Sequence, residues 1–208
     1  MPKRKASSRR WLDRHVNDAY VQRAQVDGYR SRAAYKLLEL QQRDVLLRRG
    51  MRVVDLGAAP GGWSQVAASV LGRQGRVIAL DLLAIEPLEG VEVIQGDFRD
   101  DDVLASLSAL LDGQALDLVL SDMAPNVSGM KAVDQPRSIY LVELALDFAL
   151  ETLKPGGVLV VKAFHGEGFD DLVKSMRRHF QRVVSRKPNA SRPQSREIYL
   201  VAKGLRVG

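Results

Sequence analysis

The chain has 208 residues, 46% hydrophobic content and no cysteine, which suits one domain with a sizeable core and excludes disulfides and cysteine-ligated metals. No apolar run reaches the roughly 18–20 residues that span a bilayer, and the basic N-terminus lacks the apolar core of a secretory signal, so a cytoplasmic protein without a membrane partner is expected. The net charge is +6, and its placement matters more than its size.

Residues 1–28 read as a basic, largely irregular arm, and residues 29–208 as a single domain. A helix is expected from Ser31, which can cap it, to Gly50; Ala34, Leu37, Leu38 and Leu40 form its apolar stripe. Strands and helices then alternate. Strands are predicted at 52–56, 76–80, 91–95, 116–121, 157–163, 181–186 and 197–202, and helices at 62–71, 101–111, 135–152 and 168–179. The runs Leu116–Leu120 and Val158–Val161 are almost continuously apolar, as parallel strands buried on both faces are. The pattern implies an α/β fold with a doubly wound, mostly parallel, seven-stranded sheet. The last two strands are joined by about ten residues with no helix, so the final strand should run antiparallel to the rest.

Charge is concentrated in two segments. Residues 1–32 hold nine Lys/Arg and three Asp; Lys174 to Arg196 holds eight Lys/Arg and no acid. Two basic segments on a near-neutral body point to nucleic acid as partner.

Residues 55–63, Asp-Leu-Gly-Ala-Ala-Pro-Gly-Gly-Trp, lie between a strand and a helix, the layout of a cofactor-binding turn. Gly57, Gly61 and Gly62 do not have the dinucleotide spacing, and no Gly-Lys-Ser/Thr follows as in a phosphate-binding loop. Asp55 ends the strand, where its carboxylate is expected to face the ligand. It would repel a pyrophosphate, which weakens a nucleotide-dependent dehydrogenase reading. A cofactor with an ammonium and a sulfonium, S-adenosylmethionine, suits the site. Trp63 is expected to pack either on that cofactor or on the core.

In open α/β sheets ligands bind beyond the carboxyl ends of the strands. Those ends carry Asp55, Asp81, Asp97, Asp122 and Lys162. Asp81 is placed to accept from ribose hydroxyls and Asp97 from the adenine amino group. A lysine at the end of an apolar strand is costly to bury unpaired, which marks Lys162 as functional.

Asp55–Gln65, Ser121–Gly129, Val160–Phe164, Ser195–Tyr199 and Arg30–Lys36 together resemble the FtsJ family of ribosomal RNA methyltransferases, and the resemblance covers nearly the whole chain. It implies a Rossmann-like methyltransferase fold, S-adenosylmethionine as donor, and a catalytic tetrad of Lys36, Asp122, Lys162 and Glu197. It implies donor contacts at Gly61, Trp63, Asp81, Asp97 and Asp122. The substrate so implied is the ribose 2′-hydroxyl of a uridine in 23S ribosomal RNA, in the peptidyl-transferase region of the large subunit, modified during ribosome maturation. Separately from the resemblance, a monomer is expected. Transfer RNA as substrate, and an RNA-binding assembly factor without catalysis, are the rivals; the full tetrad counts against the second.

Methyl transfer is an in-line displacement, so alignment supplies much of the rate. The attacking hydroxyl must lose a proton, which a neutral lysine can accept. Asp122 would orient Lys162 and the hydroxyl, and Glu197 would fix Lys36 or the ribose; either lysine can hold the proton. No metal is required, and His15, His165 and His179 are scattered.

Overall fold

The computed structural model describes residues 18–125 and 128–207. Seven strands form one sheet: β1 (Arg52–Leu56), β2 (Arg76–Asp81), β3 (Val91–Gln95), β4 (Leu116–Ser121), β5 (Leu153–Phe164), β6 (Phe180–Arg186) and β7 (Glu197–Leu205). Their order is β3-β2-β1-β4-β5-β7-β6. β1 to β5 pair in parallel, and β7 runs antiparallel between β5 and β6. The short 187–196 connection forces that reversal, since a parallel return needs a longer crossover.

Strand alternation builds two cores. Val53, Leu118, Leu120, Val160 and Val201 face one side, where Leu37 and Leu40 of α2 (Ala33–Asp44) and Val66 and Leu71 of α3 (Gly62–Leu71) cover them. Val54, Val119, Leu159, Val161 and Leu200 face the other. There they meet α4 (Asp101–Leu111), α5 (Lys131–Thr152) and α6 (Phe169–His179) through Leu107, Val142, Leu146 and Leu172. Both faces are therefore covered, as the unbroken apolar runs require.

Several boundaries differ from expectation for identifiable reasons. Ala19–Val26, within the segment expected to be irregular, forms a helix, α1. Asp18 caps it by accepting from the Tyr20 N–H at 3.0 Å. Buried Ala24 packs with Tyr35 and Ala190, so tertiary contacts stabilise a helix whose own sequence is polar. Residues 1–17 of the proposed arm lie outside the described residues.

Ser31 is not the side-chain cap of α2; its buried hydroxyl has no partner among the described residues, and Arg32 takes the cap position. The same helix stops at Asp44, not Gly50, because Val45 turns left-handed at φ 49. The Gln41 side chain then takes the N–H groups of Leu46 and Leu47, both at 2.7 Å, in place of helical carbonyls. β5 begins early because Leu153 pairs with Leu116 before a bulge. α5 begins at Lys131, ahead of the expected 135. There Asp134 folds back onto the N–H groups of Ser128 and Gly129.

Candidate active site

The carboxyl ends of β1, β2, β4 and β5 share one edge of the sheet, and the start of antiparallel β7 joins them there. Lys162 on β5 lies directly opposite Tyr199 on β7, with Glu197 two residues before it. Residues two apart on a strand share a face, so Glu197 and Tyr199 both turn toward Lys36 in the first turns of α2. Asp122 follows β4, its N–H held by the Leu56 carbonyl at 3.1 Å.

These side chains form one unbroken network. Lys162 Nζ lies 3.0 Å from Asp122 Oδ1 and also donates to the Asp122 carbonyl. Tyr199 Oη donates to Asp122 Oδ1 at 2.7 Å and accepts from Lys36 Nζ at 3.0 Å. Lys36 Nζ pairs with Glu197 Oε1 at 2.8 Å. The two lysines are only 9% and 8% exposed, yet each has a carboxylate partner, which makes burial tolerable. Burial raises the Asp122 carboxyl, but the Lys162 and Lys36 charges outweigh it and hold the group below its ordinary range. Glu197 behaves alike: burial raises it, and Lys36 brings it down. Burial and the two carboxylates push the Tyr199 hydroxyl well above its usual value, so it stays protonated as a donor.

Sequence reasoning assigns Tyr199 no role. A tyrosine in an apolar strand reads as core, and it is fully buried against Trp63 at 5.5 Å between ring centroids. Its position two residues after Glu197 is the available signal. The Trp63 choice also resolves to the core: its indole is buried and donates to the Ala33 carbonyl at 2.8 Å. At the start of α3, only its backbone N–H is left to face a ligand.

Asp55 corrects a second expectation. Its carboxylate has no solvent-exposed surface and does not face open space. Oδ2 accepts from the Ser64 hydroxyl at 2.6 Å, and Oδ1 has no partner among the described residues. Burial, with Asp122 and Asp81 nearby, raises this carboxyl to about 7 despite the Ser64 bond. Asp81 and Asp97 do reach the edge. Asp81 takes the N–H groups of Ala59 and Leu83 at 2.9 and 2.8 Å. Asp97 is gripped by the Arg99 guanidinium and held at about 2 by it.

Glycine is required where backbones touch. A Cβ on Gly57, at φ +73, would lie 2.7 Å from the Met123 side chain and 2.9 Å from its backbone. A Cβ on Gly62 would sit 2.4 Å from Ser31 Oγ. Thus the 57–62 loop is pressed against both the segment carrying Asp122 and the start of the helix carrying Lys36. Such a cradle suits a donor that carries both a cation and a carboxylate: acids border it on one side, and the start of α3, which has no side-chain cap, favours a negative group.

Residues 29–205 match the model of the FtsJ-like methyltransferases. The chain belongs to that family. Its FtsJ-like relatives include proteins named ribosomal RNA large subunit methyltransferase E. The Marinobacter nauticus protein is 59% identical, over 98% of this chain and 99% of its own. The Alkalilimnicola ehrlichii protein is 60% identical, over 98% and 97%. A solved Plasmodium falciparum structure, described as a ribosomal RNA methyltransferase, has a TM-score of 0.77 at 32% identity, covering 85% of this chain and 98% of its own. A Streptococcus mutans protein solved with SAH shares the fold alone, with a TM-score of 0.52 at 14% identity over 84% and 96%. S-adenosylmethionine is the methyl donor of the FtsJ-like family.

Beside the network a cavity of about 360 Å³ opens on Lys36 and Glu197, bounded by Arg32, Arg192, Gln194 and Ser195. A neighbouring cavity of about 520 Å³ shares Gln194 and Ser195 and is lined by His165, Lys187 and Arg196. No helix among the described residues is long and apolar enough to cross a membrane, and no cluster of three or more His, Asp or Glu there is placed to hold a metal.

Proposed function

We propose that this protein transfers methyl from S-adenosylmethionine to the ribose 2′-hydroxyl of a uridine in 23S ribosomal RNA, in the peptidyl-transferase region of the large subunit, during ribosome maturation. The observation that carries the reading is the Lys162–Asp122–Tyr199–Lys36–Glu197 network. It stands beside the glycine loop and opens to a basic-rimmed cavity. The names of the relatives support the substrate class.

In this reading Asp81 and Asp97 receive the ribose and adenine of the donor, and Gly57, Gly61, Gly62 and the Trp63 N–H form its cradle. Asp55 supports that cradle from below. Bound donor supplies an electrophilic methyl on a sulfonium. The chain's own residues prepare the nucleophile. Lys162, held by Asp122, takes the proton of the 2′-hydroxyl as the neutral amine, having first released its own proton to solvent. Tyr199 and Lys36 fix the Asp122 carboxylate, and Glu197 fixes Lys36. The alignment is thus set before substrate arrives, which lowers the barrier by preorganisation.

The test is transfer of labelled methyl from S-adenosylmethionine to large ribosomal subunits and, in a parallel reaction, to total transfer RNA, both from a strain lacking this enzyme, with mapping of the product nucleotide. Label on a 2′-oxygen of a 23S uridine is expected. Label in transfer RNA, or none, would overturn the assignment.

A further inference from the structure

Arg30 lies in the segment between α1 and α2, among the basic residues read as RNA contacts. Its guanidinium is engaged elsewhere. Nη1 donates to the Pro60 carbonyl at 3.3 Å and to the Glu86 carbonyl at 2.6 Å, and Nη2 donates to the Pro87 carbonyl at 2.6 Å. Its backbone N–H donates to Gln65 Oε1 at 3.0 Å, and Gln65 Nε2 returns a bond to the Gly28 carbonyl at 2.8 Å. Pro60 belongs to the glycine loop after β1. Glu86 and Pro87 belong to the loop after β2, just beyond Asp81. One side chain therefore ties together both loops that border the donor site.

The packing leaves that tie little slack. A Cβ on Gly61 would lie 3.2 Å from Arg30 Nη1. Ile85, buried against Ala58 and Ala79, seats the second loop under the first. A planar guanidinium can serve three carbonyls from two loops at once; a lysine ammonium is a compact point donor and cannot span the same fork.

We infer that Arg30 is a positioning residue for the methyl donor: it holds the 57–62 and 82–87 loops in register with the segment that leads into the Lys36 helix. The inference rests on the donor site proposed above. Because Arg30 stands just ahead of α2, RNA gripped by the N-terminal segment and donor held by the loops bias the same piece of backbone. Any coupling between the two ligands is then reciprocal.

The experiment compares Arg30→Ala and Arg30→Lys with the wild type. S-adenosylmethionine and S-adenosylhomocysteine affinities are measured by calorimetry, large-subunit RNA affinity by filter binding, and amide exchange across the chain. Arg30→Ala should weaken donor binding about tenfold or more and RNA binding less than about twofold. Exchange should accelerate in 57–62 and 82–87 while β4 and β5 keep their protection. Arg30→Lys should recover part of the donor affinity. Unchanged donor affinity with weakened RNA binding would make Arg30 a phosphate contact and overturn the inference. Faster exchange throughout the sheet, with no rescue by lysine, would also overturn it, as a purely structural role. A wild-type protein that binds no S-adenosylmethionine would remove the donor site itself, a different failure from variants that bind as the wild type does.

Discussion

Lys162 joins two chemical demands that an ordinary core position never faces. It must be buried beside Asp122, and in the proposed mechanism it must also exchange a proton. Arginine satisfies the first demand only, since its guanidinium does not deprotonate in proteins. Lys162→Ala is expected to abolish methyl transfer while binding S-adenosylmethionine nearly normally. Lys162→Arg should retain less than about a tenth of wild-type turnover, a barrier increase above roughly 1.4 kcal/mol. Single-turnover assays with saturating donor decide it. Substantial activity in Lys162→Arg would reassign the proton to Lys36 or reduce Lys162 to charge stabilisation. Asp55 makes a separate prediction, from its raised carboxyl near 7. Between its ordinary value and about 7 the folded chain binds a proton there that the unfolded chain releases. The stability that proton confers is present at acid pH and lost as pH rises through about 7, with a ceiling of about 4 kcal/mol. Asp55→Asn keeps a neutral group of the same shape and removes the titration. The variant should gain Tm over the wild type between pH 4 and pH 8. A difference in Tm that does not change with pH would mean that Asp55 does not titrate in this window.

Individual elements show how far the sequence can be read. Asp122 and Lys162 are legible because polar residues interrupt apolar runs at strand ends, where nothing but function or a specific partner compensates the cost. Lys36 and Glu197 enter only through the family resemblance. A lysine on a helix and a glutamate at a strand start ordinarily face solvent, and their burial depends on β7 reversing beside β5. Asp55 illustrates the converse: its place at a strand end is legible, but its depth depends on how α3 and Ser64 close over it. The N-terminal helix α1 escapes sequence reasoning because its stabilisation is tertiary. Tyr20 packs on Tyr35 at 5.5 Å, the Tyr35 hydroxyl donates to Asp27 at 2.7 Å, and Arg32 pairs with Asp18. These contacts separate two truncations. Removing 1–17 strips six Lys/Arg and one Asp. That should weaken RNA binding and flatten its salt dependence without changing Tm. Removing 1–28 also uncovers Tyr35 and unpairs Arg32, at roughly 2–3 kcal/mol, or about 5–10 °C in Tm. Equal Tm for both truncations would show α1 to be a passenger on the domain.

At the scale of the whole molecule, topology divides what the sequence presents as one basic stretch. Lys174, Arg177, Arg178 and Arg182 lie near the start of β6; Lys187, Arg192 and Arg196 are exposed beyond its end. β6 runs parallel to β5, so its end lies at the edge that holds Lys162, and Arg186 pairs with Tyr199 in register. Six residue steps along β6 separate the two groups by about 20 Å. Only the second group borders the cavities beside Lys36 and Glu197. The two groups should therefore act differently on RNA, although a sequence window counts them alike. Removing a side chain that neutralises one phosphate reduces the slope of log affinity against log salt by about 0.7–0.9. Lys187→Ala, Arg192→Ala and Arg196→Ala combined should reduce the slope by about 2–3 and raise the RNA KM, leaving S-adenosylmethionine affinity unchanged. Lys174→Ala, Arg177→Ala and Arg178→Ala combined, with the same loss of formal charge, should leave the slope within about 1 of wild type. Equal effects from the two triple variants would mean that RNA responds to net charge alone, and that the edge of the sheet does not choose where the substrate lies.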